Sequence, residues 1–394
     1  MITVEEALSR VLALVQPLSV ETLPLRAARG RVLAVPALAG LDQPPFDASA
    51  MDGYAICAAD NRPGARLTVI GEAGAGHGFS GTLAPGQAIR IFTGAPLPAG
   101  ADVVVLQEHV TREGDTLILP ESPEKSTNIR AAGQDFRAGD SLPAPRRLSA
   151  RDLGLLAAMN VAKLQVYRRP VVAIIATGDE LVMPGEAPGP DQILCSNSFA
   201  LAAMAEEAGA EVRMLPIARD SEESLRLVFG LAAGADLIVT SGGASVGDHD
   251  LVGKVAADLG LERAFWKIAM RPGKPLMAGR MGGAAMLGLP GNPVSAIVCA
   301  ELFLRPMLAA LQGLPAGHTT LTARLAQDLP ETGPRTHYMR AKLAPQASGL
   351  PDIAPMGNQD SALLRLMTEA DALLIRPLGA GPARAGDLVS YLPL

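Results

Sequence analysis

The stretch DLIVTSGGASVGDHD, residues 236–250, carries the clearest indication of the fold. Leu237, Ile238 and Val239 form a short apolar run, typical of a strand buried on both faces of a sheet. A glycine-rich segment follows at once, and in open α/β sheets the ligand binds where a strand ends. The stretch therefore predicts an α/β domain with a ligand site at the carboxyl end of this strand.

The segment after this strand has the composition of a phosphate-binding loop. Gly242, Gly243 and Gly247 lack a Cβ atom, so the backbone can adopt positive φ angles and bring several N–H groups close to an anion. Asp248 and Asp250 would repel a bare phosphate, unless a hard cation such as Mg²⁺ bridges the carboxylate and phosphate oxygens. The alternative is a plain tight turn with capping aspartates. The composition favours a phosphate or nucleotide site beside a metal.

Strands and helices alternate on both sides of this loop. The patterns predict strands at 171–176, 211–216, 237–240 and 284–289, and helices at 198–207, 222–233 and 293–311. Such alternation implies a parallel sheet in a three-layer α/β domain with right-handed crossovers. Asn292 as N-cap and Pro293 as first residue begin the last helix, and its N-terminus is a second candidate anion site.

The flanking sequence predicts further domains. Thr3 and Glu6 form a capping box for an amphipathic helix that ends before Pro17. Residues 46–136 are turn-rich with short apolar runs, which predicts a β-rich module, and residues 149–160 return to a helical pattern. We expect an elongated N-terminal domain (1–45 plus 139–169), a β-rich domain inserted into it (46–138), the α/β domain (170–313) and a C-terminal β domain (314–394).

Composition narrows the class of protein. A chain of 394 residues is long enough for two to four domains. Its net charge of −6 argues against broad nucleic-acid binding. The longest apolar stretch, 284–304, is interrupted by the sequence PGNP, so no membrane span is predicted. Cys57, Cys195 and Cys299 form neither a zinc pair nor a disulfide framework, and a reduced cytoplasm fits best.

Two charged segments complete the candidate site. The sequence WKIAMRPGKP, residues 266–275, carries Lys267, Arg271 and Lys274, which form either a solvated basic turn or an anion clamp. In an acidic chain with a phosphate-type loop just upstream, the clamp is favoured. The sequence TGDEL, residues 177–181, places Asp179 and Glu180 after a predicted strand, as helix caps or as metal and acid/base groups. Their position at the strand end favours the second interpretation.

Seven strings in register resemble one known family. They are PPFDASAMDGYA (44–55), RIFTGAPLPAGAD (90–102), NIRAAGQDF (128–136), TGDEL, TSGGASVGDHD, MRPGKP and GLPGNPVSA. In this order they resemble the molybdopterin molybdenumtransferases, the MoeA and gephyrin E-domain family. The resemblance implies a multidomain α/β fold: an elongated domain, an inserted β domain, a three-layer molybdopterin-binding domain and a β-barrel-like C-terminal domain. It also implies a homodimer.

The resemblance implies a reaction as well: molybdate and adenylylated molybdopterin react, the metal enters at the dithiolene sulfurs, and AMP is released with the help of Mg²⁺. Asp52, Glu180, Asp248 and Asp250 would be catalytic, and the last three are also the candidate Mg²⁺ ligands. Substrate-binding positions would be Thr93, Asp135, Asp220, Ser241, Gly242, Gly243, Ser245, Gly247, Lys267, Arg271, Lys274, Pro290, Pro293, Arg340 and Ser361.

These residue types suit that chemistry. Molybdate is a dianion, so a carboxylate-rich pocket needs Lys267, Arg271, Lys274 and Arg340 to offset the repulsion. Cleavage of the phosphoanhydride needs Mg²⁺ to neutralise the phosphates, and a carboxylic acid can supply the protons with which oxo groups leave as water. The adenylylated substrate should come from a separate adenylyltransferase, and the product should pass to downstream molybdoenzyme maturation proteins. Two alternatives stay open: a molybdopterin adenylyltransferase, and a non-catalytic molybdopterin-binding scaffold.

Overall fold

The structure, a computed structural model, describes residues 1–242, 251–347 and 349–394. The chain forms two compact units. The larger unit contains residues 1–21, 30–34 and 166–394, and the smaller unit contains residues 22–29 and 35–165. The larger unit therefore includes the N-terminal helix, Val4–Leu12, which is shorter than predicted and begins where the Thr3 hydroxyl accepts a hydrogen bond from the Glu6 N–H. The boundaries of the four domains remain a prediction.

The main sheet of the larger unit is mixed. In spatial order its described strands are Glu211–Met214, Val171–Ala176, Leu237–Ser241, Ala284–Leu289, Met277–Met281 and Leu261–Trp266. The first four run parallel, as predicted, and the last two pair antiparallel. The predicted parallel sheet is therefore extended by two antiparallel strands. The two additional strands were missed because charged residues interrupt their apolar runs: Glu262 and Arg263 in one, Arg280 in the other.

Both faces of this sheet are covered, which confirms the three-layer architecture. Along the strand Val171–Ala176, the side chains of Val172 and Ile174 belong to one core and those of Ala173 and Ile175 to another. The helices Asn197–Glu207 and Pro293–Cys299 contribute to the first core, and the helices Glu222–Leu231 and Leu251–Asp258 to the second. A strand that is apolar on both faces is what two helical layers require.

The helix that begins at Pro293 is longer than an ordinary core helix. It continues from Pro293–Cys299 through a π-helical turn, Ala300–Leu304, into Arg305–Leu311. Among the described residues, Pro293–Leu311 is the one helix long and apolar enough to cross a membrane, and 72% of its apolar window is buried. This candidate was not predicted from the sequence, because the longest apolar stretch begins at 284 and is interrupted by PGNP before the helix. Length and composition alone are weak evidence for a membrane span.

The C-terminal segment forms a closed barrel, as predicted. Its strands are Leu321–Leu325, Thr336–Ala344, Asp352–Pro355, Ala372–Arg376 and Leu388–Pro393, with a short helix at Leu364–Glu369. Thr336–Ala344 pairs with both Asp352–Pro355 and Ala372–Arg376, and this second pairing closes the circle. The two-residue strand Met270–Arg271 adds to the outside of Thr336–Ala344 in parallel.

The smaller unit is rich in β-strands, as expected. Its main sheet contains, in spatial order, Val103–Leu106, Gly53–Ile56, Gln87–Ile91, Arg66–Ala73, Thr116–Ile118 and Thr111–Glu113. Two short pairs, Ala48–Ser49 with Ile129–Arg130 and Ala37–Leu38 with Ser141–Leu142, form separate two-stranded sheets. The helix Ala150–Ala158 begins with a complete capping box between Ser149 and Asp152.

The remaining elements of the described chain are short. They are the strands Val20–Pro24, Val32–Leu33, Arg146–Arg147, Lys163–Tyr167, Leu181–Val182 and Ile193–Leu194, and the 3₁₀ turns Leu25–Ala27, Ala58–Asp60 and Gln107–His109.

Candidate active site

A large cleft lies where the parallel strands of the larger unit end. Its volume is about 1130 Å³. The loops that follow Val171–Ala176, Leu237–Ser241 and Ala284–Leu289 line it, so it lies at the edge of the sheet that the sequence predicted. Among the predicted site residues, the cleft brings together Glu180, Asp220, Ser241, Gly242, Pro290 and Pro293.

One side chain joins two of these loops. The Asn197 side-chain amide donates hydrogen bonds to Ser241 Oγ at 2.9 Å and to the Gly291 carbonyl oxygen at 2.7 Å. Asn197 is the first residue of the helix Asn197–Glu207 and itself lines the cleft. The sequence analysis did not select it. A polar residue at the N-terminus of a helix that follows a predicted strand was the available signal.

The first glycine of the loop occupies a position that no other residue can take without strain. Gly242 has φ +94°, and a Cβ atom there would lie 2.6 Å from the Thr177 carbonyl oxygen. A heavy-atom contact that short is repulsive, and the left-handed backbone disfavours a side chain as well. Glycine at 242 therefore lets the ends of two neighbouring parallel strands approach each other.

Two exposed carboxylates in the cleft have no protein partner in the part of the chain that the structure describes. Neither the Glu180 nor the Asp220 side chain accepts a hydrogen bond or forms an ion pair with a described residue. The neighbouring Asp179 is used differently: its Oδ1 accepts a hydrogen bond from the Asp220 backbone N–H at 3.1 Å. Glu180 and Asp220 are thus available to a ligand, whereas Asp179 organises the loop.

Arg219 fixes the segment that carries Glu180. Its Nη1 donates to the carbonyl oxygens of Asp179 at 3.1 Å and of Leu181 at 3.0 Å, on either side of Glu180. A guanidinium that donates to the carbonyls on both sides of a residue restrains the backbone of that residue. The sequence analysis missed Arg219, because nothing in its local pattern distinguishes it from a surface arginine.

Of the predicted Mg²⁺ ligands, Glu180 alone lies within the described residues. Gly243, Ser245, Gly247, Asp248 and Asp250 lie outside the described residues, and among the described ones no three His, Cys, Asp or Glu side chains form a group that could hold a metal ion. Mg²⁺ typically binds one or two carboxylates together with substrate phosphates and water. The unpaired oxygens of Glu180 and Asp220 are donors of this kind, so the residues present fit such an ion.

The three cations of the predicted clamp do not converge on the cleft. Lys267 Nζ lies 4.2 Å from the centroid of the Trp266 ring. Arg271 belongs to the short strand beside Thr336–Ala344 and lines a different pocket, and Lys274 is exposed next to Pro275, which does line the cleft. The expectation of one shared clamp is thus not met in this structure, because stacking and strand pairing direct two of the cations elsewhere.

The one lysine among the described residues that line the cleft was not predicted. Lys254 donates from Nζ to Glu222 Oε1 at 2.6 Å. This hydrogen bond and the attraction of the same carboxylate raise the pKa of Lys254. Its position one turn into the helix Leu251–Asp258 offered little signal, since lysine is common on exposed helix surfaces.

Arg340 supports the cleft through a loop. Its side chain is only 1% exposed, and its guanidinium donates to the carbonyl oxygens of Asn358, Asp360 and Leu363. In the loop so held, Ser361 Oγ accepts a hydrogen bond from the Asn292 side-chain amide at 3.0 Å. Arg340 therefore positions Ser361 beside the turn of residues 291–293, the GNP turn. Its direct contact with an oxyanion stays a prediction.

The smaller unit holds a second set of predicted residues. Asp52 Oδ1 accepts hydrogen bonds from the backbone N–H and the hydroxyl of Thr93, both at 2.8 Å. These bonds, the backbone one foremost, lower the pKa of Asp52. Asp135 is exposed, and its carboxylate accepts no hydrogen bond and forms no ion pair with a described residue. The structure thus joins Asp52 to Thr93 and leaves Asp135 on its own.

Strand pairing explains why Asp52 and Thr93 meet. Gly53 pairs with Ile91 in neighbouring antiparallel strands, so the residues just beyond that pair lie close together. Arg90 strengthens this end of the sheet: its Nη1 donates to the Gly53 carbonyl oxygen at 2.9 Å, and its guanidinium stacks on the rings of Tyr54 and Phe92 at 5.1 Å and 4.7 Å. Arg90 begins the string RIFTGAPLPAGAD (90–102), but it was not predicted to be a site residue.

Three family models match this chain in order. The model described as the MoeA N-terminal region, domains I and II, matches residues 2–160. The model described as a probable molybdopterin binding domain matches residues 173–310, and the MoeA C-terminal region, domain IV, matches residues 322–394. Together the matches extend over nearly the whole sequence.

Full-length relatives give the same result. Molybdopterin molybdenumtransferase from Nostoc sp. is 37% identical over 390 residues, which is 95% of this chain and 89% of the relative. The protein of that name from Haemophilus influenzae is 34% identical, covering 100% of this chain and 98% of the relative. A structure of the molybdopterin biosynthesis MoeA protein from Pyrococcus horikosii superposes with a TM-score of 0.83 at 31% identity and covers 100% of this chain and 99% of that one.

Proposed function

Because this chain belongs to the MoeA family of molybdopterin molybdenumtransferases, and is therefore an enzyme of molybdenum cofactor biosynthesis, we propose that it inserts molybdenum from molybdate into adenylylated molybdopterin and releases AMP in a Mg²⁺-dependent reaction. The role in cofactor biosynthesis rests on the family. The adenylylated form of the substrate and the release of AMP are the proposal.

One observation carries the proposal: Glu180 and Asp220, two carboxylates without a hydrogen-bond or ion-pair partner among the described residues, share a cleft with the beginning of a glycine loop. A carboxylate that accepts no hydrogen bond from the described chain keeps its lone pairs for a ligand. A Mg²⁺ ion, when bound, would neutralise charge on the phosphates of the substrate. The cleft volume of about 1130 Å³ suits a molecule as large as an adenylylated pterin.

In this proposal the chain's own residues mainly bind and orient. Ser241, Gly242 and Asn197 would form the wall that contacts the phosphates. Glu180 and Asp220, together with Asp248 and Asp250, would bind the metal ion. Pro290, Pro293 and Ser361 set the shape of the neighbouring GNP turn. Lys274 adjoins Pro275 at the cleft, so we propose it as the predicted cation that meets the molybdate oxygens, whereas Lys267 stacks on Trp266 and Arg271 lines a different pocket.

Asp52 is proposed to act in its ionised form. Its hydrogen bonds from Thr93 stabilise the carboxylate and lower its pKa, so the group is a poor proton donor at neutral pH. Such an anion suits orientation of a protonated group or a metal ion rather than delivery of a proton to a leaving oxo group. The roles of Asp52, Thr93 and Asp135 in the same reaction remain part of the proposal.

The cellular setting is proposed as well. The enzyme would act in the cytoplasm as a homodimer, receive its substrate from a separate adenylyltransferase and deliver the product to downstream molybdoenzyme maturation proteins. Sedimentation equilibrium of the purified chain tests the dimer, since a monomer mass at micromolar concentration would contradict it.

The decisive experiment mixes the purified protein with adenylylated molybdopterin, Mg²⁺ and molybdate, and follows AMP release and the activity of a reconstituted molybdoenzyme. We expect molybdate-dependent AMP release, lost in Glu180→Gln and in Asp220→Asn. Glu206→Gln is the matched control, because Glu206 is an exposed helical carboxylate outside the cleft. Pterin binding without turnover would favour the scaffold, and formation of adenylylated pterin from ATP would favour the adenylyltransferase.

A further inference from the structure

A second pocket of the larger unit collects positive charge. It has a volume of about 290 Å³ and lies between the strand Thr336–Ala344 and the loop 329–335. The guanidinium groups of Arg271, Arg335 and Arg376 line it, and Glu331 is the single carboxylate among its described lining residues. Three cations against one anion leave two positive charges. In a chain of net charge −6, such a local excess needs an explanation.

None of these three arginines has an anionic partner. Arg271, Arg335 and Arg376 form no ion pair with any carboxylate in the described ranges. Elsewhere in the larger unit, Arg168 pairs with Asp236 and Arg226 with Asp258. Like charges that converge without a counter-ion repel one another, so an unfilled arrangement of this kind is unfavourable. A bound anion would remove that cost.

Two buried polar atoms at the pocket also lack a partner. Arg376 is only 7% exposed; its Nη2 donates to the carbonyl oxygens of Pro330 and Gly381, whereas its Nε donates to no acceptor among the described residues. His337 Nε2 is likewise buried and unpaired within the described chain. A buried N–H without an acceptor costs about 1–3 kcal/mol, so such atoms normally have a ligand or water beside them.

The wall of the pocket is held in place before any ligand binds. Thr332 Oγ1 donates to the Pro377 carbonyl oxygen at 2.6 Å and accepts from the Ala380 N–H at 2.8 Å. The Gly379 N–H donates to the Gly333 carbonyl oxygen at 3.0 Å. The loop 329–335 is thereby attached to the segment after Ala372–Arg376. Because this wall is already ordered, less conformational entropy is lost when an anion binds.

From this geometry we propose that Arg271, Arg335, Arg376 and His337 form a binding site for a tetrahedral dianion, separate from the cleft. The two cavities share no lining residue. His337 and Arg340 differ by an odd number of positions along one strand, so they face opposite sides of it, and Arg340 supports the loop beside the cleft. Planar guanidinium groups match the paired oxygens of phosphate, sulfate or molybdate. This inference does not depend on the proposed reaction.

The test measures anion binding to the full chain in a buffer without tetrahedral anions. Inorganic phosphate, sulfate and molybdate are each titrated by calorimetry, and the imidazole resonances of His337 are followed by NMR, assigned through their absence in His337→Gln. We expect saturable binding that shifts the His337 resonances. In Arg335→Gln the dissociation constant should rise about tenfold, the effect of one lost charge-assisted hydrogen bond.

The matched control is Arg324→Gln, because Arg324 is an exposed barrel arginine outside the pocket. It removes the same charge and should change the dissociation constant by less than about twofold. The ranking of the three anions then distinguishes a phosphate site from a metal-oxyanion site. The inference is overturned if no anion shifts the His337 resonances at millimolar concentration, or if Arg335→Gln and Arg324→Gln weaken binding equally.

Discussion

The carboxylate of Asp52 and the residue Thr93 are joined by two hydrogen bonds to one oxygen: Oδ1 accepts from the Thr93 backbone N–H and from its hydroxyl, each at 2.8 Å. Both donors favour the charged form of the acid, and the backbone donor contributes most to its lowered pKa. A backbone N–H cannot be removed by changing the side chain. The pair is therefore robust to most substitutions at position 93.

From this pair we predict a graded response of the Asp52 pKa. Thr93→Ala removes the hydroxyl and leaves the backbone donor, so the pKa should rise part of the way toward its ordinary value of 3.8. Thr93→Ser keeps both donors and should leave the pKa unchanged. Carboxyl ¹³C NMR over an acid titration measures both. Equal values in wild type and Thr93→Ala would show that the hydroxyl bond is absent in solution.

His337 makes stability depend on pH in the acidic range. Burial, as the largest cause, and the neighbouring positive charges of Arg271, Arg335 and Arg340 together lower its pKa to about 4. The unfolded chain, with an ordinary pKa of 6.5, binds the proton more readily than the folded chain does. Stability should therefore fall as the pH drops from about 6.5 to about 4. In His337→Gln this part of the pH dependence of urea unfolding should disappear. An unchanged profile would mean that the ring is solvated.

Asn197 is predicted to stabilise the cleft through its amide nitrogen. Both of its hydrogen bonds, to Ser241 Oγ and to the Gly291 carbonyl oxygen, are donated by Nδ2. Asn197→Asp keeps the shape and removes both donors, so the free energy of unfolding should fall by about 1–3 kcal/mol. Asn197→Ala should cost less, because it places no carboxylate against the Gly291 carbonyl. Urea unfolding measures the difference, and the reverse order of the two variants would contradict this account.

A methyl group at position 242 should be far more damaging than one at another loop glycine. In Gly242→Ala the new Cβ meets the Thr177 carbonyl oxygen at 2.6 Å, and the backbone has φ +94°. We expect a loss of about 2 kcal/mol or more. Gly283→Ala is the control, since nothing lies within 4 Å of its Cβ position and its change should stay within about 0.5 kcal/mol. Equal thermal unfolding midpoints would refute the steric argument.

The sequence predicted well what short-range patterns encode. The strands Val171–Ala176 and Ala284–Leu289 have the predicted bounds, because each is an uninterrupted apolar run next to glycine or proline. The location of the cleft was predictable too, since parallel strands carry their ligand sites at one edge. The strands Leu261–Trp266 and Met277–Met281 were not predicted, because charged residues interrupt their apolar runs.

These short-range patterns could not predict contacts between segments that are distant in the sequence. Nothing near Arg340 in the sequence indicates that its guanidinium will bind three carbonyls of the segment 358–363. Charge suggested that Lys267 and Arg271 would converge on an anion, and the family resemblance added Arg340 to them. A sequence shows which residues carry charge, whereas the strand partner and the stacking ring decide where each charge points. For the same reason Asn197 and Arg219 became apparent only from the structure.

The role of Arg340 leads to a prediction that separates support of a loop from direct contact with a substrate. Arg340→Gln removes a buried guanidinium with three carbonyl acceptors, so the free energy of unfolding should fall by about 3 kcal/mol or more.

The Val294 N–H donates to the Ser361 carbonyl oxygen at 3.0 Å and therefore reports on the supported loop. Its hydrogen exchange should accelerate in Arg340→Gln and less in Arg340→Lys. The Leu343 N–H, bonded to Asp371 on another part of the barrel, should exchange as in the wild type. Weaker molybdate binding with unchanged exchange at Val294 would instead make Arg340 a direct ligand, since loss of a ligand leaves the loop intact.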